Sequence, residues 1–250
     1  STDCELQTLC QEYGVDGMHF IGNRPRFELE TSTLHMVRDN NKCILCRRCV
    51  AACQQQVSVI EPSERGFETH IACAFEAPLG ETACISCGQC IVNCPTGALV
   101  EKDDTDKVRA ALSDPTKTVI VHTAPSIRAT LGESFGMPVG TNVEGKMAAA
   151  LRRLGFDKVF DTDFAADLTI MEEGTEFVTR VKNGGTLPLL TSCCPGWSKY
   201  CEINHPDLFD NISSCKSPQG MQGAMIKTYW AEKNGVKPED IVVVSIMPCT

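Results

Sequence analysis

The spacing of apolar positions changes near residue 105. Beyond that point the chain reads as short apolar runs alternating with helical repeats. Thr118, Val119, Ile120, Val121 and His122 form a β-branched run that predicts a strand. Val143, Met147, Ala150, Leu151 and Leu154 recur at helical spacing and stop at Gly155, which predicts a helix. Val159 and Phe160 mark a weaker strand. Residues 164–182 read as a helix stopped by Gly184 and Gly185, and residues 187–191 as another strand. Two further helical stretches lead to the run 241–246, apolar except for Ser245. Strands that alternate with helices, and are apolar rather than alternating, predict a parallel sheet covered on both faces.

The first part has a different texture. Residues 1–40 are mixed and polar through Asn23, Arg24 and Pro25, and carry Cys4 and Cys10. Residues 41–100 contain an internal repeat. Residues 61–81, which include Cys73, lie between its two copies and predict a loop or short hairpin. The charged run 101–107 reads as a linker. The expected organisation is residues 1–38, a domain over 39–106, and an α/β domain over 107–250.

The internal repeat is one of cysteines. Cys43, Cys46, Cys49 and Cys53 follow the spacing Cys-x2-Cys-x2-Cys-x3-Cys, and Cys84, Cys87, Cys90 and Cys94 repeat it, with Pro95 after the last. Three thiolates two residues apart can wrap one face of an iron–sulfur cube. The fourth, set off by a longer gap, does not easily reach the same cube, and in the bacterial two-cluster ferredoxin pattern it binds the other cluster. This assigns Cys43, Cys46, Cys49 and Cys94 to one 4Fe–4S cluster and Cys84, Cys87, Cys90 and Cys53 to its partner. Structural zinc more often shows two pairs than two quartets, so iron–sulfur chemistry is preferred over zinc or disulfides. Fold class follows as α+β then α/β: a two-cluster ferredoxin-like domain followed by a partial α/β domain with a parallel sheet.

Composition narrows the picture further. The 250 residues are 42% hydrophobic, enough for packed cores, with no run of 18 apolar residues to suggest a membrane span. No N-terminal segment reads as a secretory signal. Most of the 16 cysteines sit at metal-ligand spacings, which favours a reducing cytoplasm. With 32 acidic against 23 basic residues, nucleic acid is not expected as a partner.

In a parallel sheet ligands bind beyond the carboxyl ends of the strands. Three predicted strands end in unusual sequences: His122-Thr-Ala-Pro125, Thr191-Ser-Cys-Cys-Pro-Gly-Trp197 and Met247-Pro-Cys249. Parallel alignment would bring Cys193, Cys194 and Cys249 together at one edge.

The last two of these segments resemble the first two signature segments of iron-only (FeFe) hydrogenases. The resemblance extends through Thr123-Ala-Pro-Ser126, Ile170-Met-Glu-Glu173 and Ser213-Ser-Cys-Lys-Ser-Pro-Gln219, and so covers most of the chain. In that family four cysteines hold an active-site cubane, and one bridges to a di-iron subsite carrying CO, cyanide and an azadithiolate; together these form the H-cluster. The resemblance implies that Cys194 and Cys249 are two of the four ligands, and that Cys193 is the thiol that exchanges protons with the bridging amine. Neighbouring cysteines in extended chain point opposite ways, which suits that division. Taken alone, Cys193 reads as an inert buried thiol.

The same resemblance implies a proton route through Glu176, Ser213 and Glu173, with Arg180 at its outer end. Periodicity alone favours a plainer reading: Glu173, Glu176 and Arg180 share a solvated helix face with a Glu–Arg i,i+4 salt bridge, opposite Phe164, Leu168, Met171 and Val178. Ala124, Pro125, Ser126, Ser217, Pro218, Gln219, Met247 and Pro248 would line the di-iron pocket, with Ser217 placed to bond a cyanide; a Ser-Pro pair is otherwise a helix start. Cys4 and Cys10 resemble the last two ligands of a further, upstream 4Fe–4S cluster, and otherwise read as small hydrophobes. Cys73, Cys201 and Cys215 match no ligand position.

The family pattern also has a lysine beyond Met-Pro-Cys and a distant Cys-x3-Cys, which these 250 residues do not contain. The expectation is therefore an N-terminal portion of a hydrogenase catalytic subunit, inactive alone. The rest would come from the same polypeptide or from a second chain. The redox partner would be ferredoxin or a flavin- or NAD(P)-linked subunit. Rival readings are a non-catalytic electron carrier, and a hydrogenase-like iron–sulfur assembly or sensor protein.

Overall fold

The computed structural model describes residues 4–16 and 25–249; the polar segment at Asn23 and Arg24 lies outside them. The chain divides into two compact units, one running to Asp103 and the other Asp104–Cys249.

The first unit begins with helix α1 (Glu5–Glu12). Strand β1 (Met36–Arg38) precedes the first cysteine motif, and helix α2 (Arg48–Gln54) carries the end of that motif. Strands β2 (Ile60–Ser63) and β3 (His70–Cys73) form an antiparallel hairpin in which Ile60 faces Cys73. The short helix α3 (Gln89–Val92) lies in the second motif. Strand β4 (Leu99–Glu101) then returns to pair antiparallel with β1, Arg38 opposite Leu99. Met36, Val50, Ile60, Ile71, Leu79 and Leu99 form a small core, and Cys43, Cys53, Cys84, Cys90 and Cys94 pack against it. Side chains on a strand alternate faces. In β1 this turns Met36 and Arg38 inward and Val37 outward.

The second unit opens with α4 (Thr105–Ser113), β5 (Thr118–Thr123) and α5 (Pro125–Thr130). It continues with α6 (Glu144–Arg153), β6 (Lys158–Asp161) and the long α7 (Asp163–Asn183). Then come α8 (Pro195–Asn204), α9 (Pro218–Met225), α10 (Ala231–Asn234) and β7 (Ile241–Ile246). The sheet is parallel with order β6-β5-β7. Its central strand is covered on both sides: Val119 and Val121 pack with Met147, Leu151 and Phe156, while Ile120 packs with Ile226, Ala231 and Ile241. Each such side chain contributes roughly 1.5–3 kcal/mol by leaving water. Arg128 on α5 clamps β6 to α7, donating to Asp161 and to Asp163, each at 2.6 Å.

Two expectations are corrected. Residues 187–191 do not join the sheet; among them only Leu190 pairs, in an isolated parallel bridge to Ile212. Pro188 lacks a backbone donor, which disfavours a ladder there. The faces of α7 are also reversed from the plain solvated-face reading. The side chains of Glu176 and Arg180 are only 18% and 17% exposed, whereas Phe164, Met171 and Val178 lie exposed. Periodicity groups residues on a face correctly but does not say which face meets protein.

Candidate metal centres

Each cysteine motif of the first unit has the same backbone. Leu45 and Ser86, two residues after the first cysteine, have φ of 56° and 59°; Arg47 and Gly88, two residues further, have 62° and 72°. Left-handed residues set between right-handed ones aim successive N–H groups into a concavity that suits anions, iron–sulfur clusters among them. The Leu45 N–H points at Cys43 Sγ at 3.4 Å. Such a φ costs a non-glycine residue about 1–3 kcal/mol, which the surrounding structure must offset.

Two cavities result. One is lined by Cys43, Cys46, Cys49 and Cys94. The other is lined by Cys53, Cys84, Cys87 and Cys90. Cys49 and Cys53 stand one turn apart on α2 yet face different cavities, and Leu99 is part of both walls. Backbone N–H groups meet the outlying thiols, Val59 donating to Cys53 Sγ at 3.3 Å. Burial, then the charges of Cys43 and Cys94, pushes the Cys49 thiol up to about 11. Burial, then Cys84 and Cys53, pushes Cys90 up to about 12. At Cys94 burial also acts upward, but N–H groups of Thr96, Leu99 and Ala98 outweigh it and the thiol lies below its ordinary value.

The residues around the first cavity fit a cluster in a further respect. Arg38 lines it, is 6% exposed, and has Nε and Nη1 buried without a hydrogen-bond partner among the described residues. Among the described residues no three potential ligands are grouped as tightly as a single ion requires. Cys4 is the N-cap of α1 and Cys10 lies six residues on, about 240° around the helix and so on a different side.

In the second unit Cys194 is the N-cap of α8, its Sγ accepting from the Trp197 N–H at 3.5 Å, and Pro195 occupies the first helical position. Three bonds fix this turn: Trp197 Nε1 to the Thr191 carbonyl, Ser198 Oγ to the Ser192 carbonyl, and Ser192 Oγ to the Cys215 carbonyl. Burial, and then the charges of Cys194 and Cys193, raises the Cys249 thiol, so the three cysteines are neighbours although residues 187–191 lie outside the sheet. The Ala124 N–H donates to the Ile246 carbonyl at 2.9 Å, joining the ends of β5 and β7. That edge presents Pro125, Ser126 and Pro248 exposed, with Met247 half-buried. Ser217 Oγ caps α9 at Gly220, with Pro218 next, and Gln219 Nε2 donates to Ser245 Oγ on β7 at 2.8 Å.

Glu176 is the centre of a third cluster. Its Oε1 accepts from Arg180 Nη2 at 2.6 Å, and its Oε2 accepts from Ser213 Oγ at 3.0 Å and Ser214 Oγ at 3.2 Å. The Cys215 thiol lies 3.7 Å from the same oxygen. Glu173 enters this group by its charge on Cys215 rather than by a hydrogen bond among the described residues. Sequence reasoning missed Ser214, Cys215 and Arg38. Only the inward-facing arginine carried a signal, a charge beside the first motif, and the spacing gave it no direction.

A unit with two cysteine motifs of dicluster type stands in one chain with an α/β unit that carries a further group of cysteines, the combination of an iron–sulfur protein. Residues 117–250 match the family model of the iron-only hydrogenase large subunit, C-terminal domain, and residues 42–110 match the 4Fe-4S dicluster domain. The chain belongs to the iron-only hydrogenase large-subunit family. It is 52% identical over 257 residues to the NADP-reducing hydrogenase subunit HndD of Solidesulfovibrio fructosivorans, covering 100% of this chain and 44% of that protein. To iron hydrogenase 1 of Clostridium pasteurianum it is 47% identical over 214 residues, covering 85% of this chain and 37% of that one. A solved structure of a variant of apo FeFe-hydrogenase HydA1 from Chlamydomonas reinhardtii superimposes with a TM-score of 0.57 at 49% identity, over 60% of this chain and 39% of that one. The chain thus spans less than half the length of these relatives. The cofactors are 4Fe–4S clusters in the dicluster domain and, in the complete protein, the H-cluster of the hydrogenase domain. No helix among the described residues is long and apolar enough to cross a membrane.

Proposed function

We propose that the chain is part of an enzyme that reversibly oxidises dihydrogen and reduces protons, contributing an electron relay and one lobe of the active site. The observation that carries this reading is the pairing of two cysteine-lined cavities with the neighbouring Cys193, Cys194 and Cys249 in one polypeptide. The working division is a residue 1–38 segment, a relay domain over 39–106 and an active-site lobe over 107–250.

Cys43, Cys46, Cys49 and Cys94 would hold one 4Fe–4S cluster, and Cys53, Cys84, Cys87 and Cys90 the other. Cys194 and Cys249 would be two ligands of the active-site cubane. The bound cofactors supply the electron storage and hydrogen chemistry; the protein positions, insulates and delivers protons. Cys4 and Cys10 remain candidates for a further cluster only in company with ligands outside α1.

Proton delivery falls to Cys193, exposed beside its neighbours, and to Glu176 with Ser213 and Glu173 behind it. Arg180 acts as a positioning residue, holding Glu176 and the 210–212 backbone together. Ala124, Pro125, Ser126, Ser217, Pro218, Gln219, Met247 and Pro248 would shape the pocket rim. We place the enzyme in the cytoplasm, with a flavin- or NAD(P)-linked subunit as redox partner, a choice supported by the likeness to a subunit named as NADP-reducing. With two cubane thiolates in hand, these 250 residues by themselves are expected to produce no dihydrogen.

The test is anaerobic reconstitution with iron and sulfide, followed by iron analysis, EPR and a dihydrogen assay with reduced viologen. The assay is run on the chain alone and on the assembled enzyme. Eight irons in the dicluster domain and dihydrogen from the assembled enzyme support the reading. Clusters without turnover in the assembled enzyme would leave an electron carrier instead.

A further inference from the structure

Arg38 is misplaced for an ordinary small core. It sits at an inward position of β1, two residues from Met36, where the strand pattern calls for an apolar side chain. Its guanidinium is permanently charged. Taking such a group out of water is strongly unfavourable unless an anion compensates it. The protein anions present are weak compensation: Glu76 acts on it by charge only, Glu30 Oε2 lies 4.0 Å from Nη2, and the other oxygen of Glu30 is taken by the Ser32 N–H and hydroxyl. The neighbouring Cys73 thiol is raised by burial, an effect that the charge of Arg38 and a side-chain hydrogen bond with it partly offset, so it stays largely neutral and is no counter-ion. Nε and Nη1 have no partner among the described residues, and the arginine lines the cavity of Cys43, Cys46, Cys49 and Cys94.

A 4Fe–4S core with four thiolates is anionic in both redox states and more so when reduced. Cluster potentials depend on local charge and on hydrogen bonds to the sulfurs. A buried cation at the wall therefore favours the reduced state. The second cavity has no lysine or arginine among its described lining residues. Arg47, the other arginine at the first cavity, is exposed, so water screens it. The first cavity thus carries a desolvated, permanent positive charge that the second, whose one ionisable ring is that of His35, does not.

We propose that Arg38 sets the two dicluster potentials apart, raising that of the cluster held by Cys43, Cys46, Cys49 and Cys94 through its charge and through hydrogen bonds from Nε and Nη1 to cluster sulfur. The proposal rests on the ligand assignment above. It makes that cluster the preferred resting place of an electron in the pair. No covalent step is involved; one electron arrives and the guanidinium proton count is unchanged.

The experiment is an EPR-monitored redox titration of the reconstituted protein and of Arg38→Met, Arg38→Lys and Glu30→Gln. Cys46→Ser identifies the signal of the cluster concerned. Arg38→Met should lower that cluster's potential by at least a tenfold change in its reduction equilibrium, about 59 mV for one electron, and move the other cluster clearly less. Arg38→Lys should retain most of the wild-type value, and Glu30→Gln should shift the same potential upward. An unchanged potential in Arg38→Met, or a larger shift at the other cluster, overturns the proposal. Should Arg38→Met fail to take up iron, Glu30→Gln decides, and the absence of an upward shift overturns it. A wild-type protein without two 4Fe–4S clusters overturns the ligand assignment itself, and iron analysis reveals that before any titration.

Discussion

Arg180 donates to Glu176 across one turn of α7, Nη2 to Oε1 at 2.6 Å, while the same guanidinium binds the carbonyl oxygens of Asp210 and Ile212 at 2.9 and 3.0 Å. One arginine therefore fixes both the carboxylate and the segment that presents Ser213 and Ser214 to it. Burial acts to raise the Glu176 carboxyl, but Arg180, Ser213 and the Ser214 N–H outweigh it and hold the group below its ordinary range. It rests ionised at neutral pH and accepts a proton only in passing.

Glu176→Gln keeps the shape but replaces one accepting oxygen by a donating nitrogen and cannot take up a proton. In the assembled enzyme the dihydrogen rate should fall by about 10²-fold or more, the lower range for a lost acid–base group. The melting temperature should fall near neutral pH, where the ionised carboxylate holds Arg180. Because the folded pKa lies below the unfolded one, the wild-type carboxylate contributes stability above its unfolded pKa and loses it as pH falls through the folded value. The variant should lack that acid-side loss in a pH series of thermal unfolding. An undiminished rate would remove Glu176 from the relay.

The crossed assignment of the fourth cysteines makes a paired prediction. Removing Cys43 together with Cys94 takes both ligands from one cluster and should leave about four irons bound in the dicluster domain. Removing Cys43 together with Cys53 takes one ligand from each and should damage both EPR signals. If the second pair instead spares one cluster intact, each motif serves its own cube.

His70 provides a pH-sensitive tie in the β2–β3 hairpin. Nδ1 faces the Glu68 carbonyl at 2.8 Å and Nε2 faces Glu76 at 3.0 Å, so both ring nitrogens are best used as donors. Burial acts to lower this histidine, but Glu68 and Glu76 outweigh it and its pKa is raised. The tie is fully present below the unfolded pKa, near 6.5, and is lost as pH rises through the higher folded value. Glu76 is largely exposed, so the contribution should stay below about 1 kcal/mol. A melting series from pH 6 to 9 should show a small decline that His70→Gln abolishes; parallel curves would refute it.

Some of this was legible residue by residue. The β-branched run at Thr118 is a strand buried on both faces, the run 241–246 an edge strand packed on both faces though mostly half-buried, and such packing writes itself as largely apolar sequence. The glycine stop after α7 was legible for a similarly local reason, Gly184 taking φ of 70° at the helix end. Residues 187–191 looked like a strand by the same composition, but strand formation needs a neighbour to bond, and only Leu190 finds one. The contacts of Ser214 and Cys215 with Glu176 join positions 38 and 39 residues apart, and no local spacing reports them.

By itself the sequence determined which chemistry the chain carries. Cysteine spacing, helical period and apolar runs are local properties, set by the geometry of a few successive residues. Tertiary structure decided which groups share a cavity and which face of each element is turned to protein. The β1–β4 pairing turns Arg38 inward, and the meeting of α7 with the 210–215 segment turns Glu176 from a solvated position into a hub. Those outcomes depend on contacts between distant segments, whose free energy is gained only when the whole unit closes.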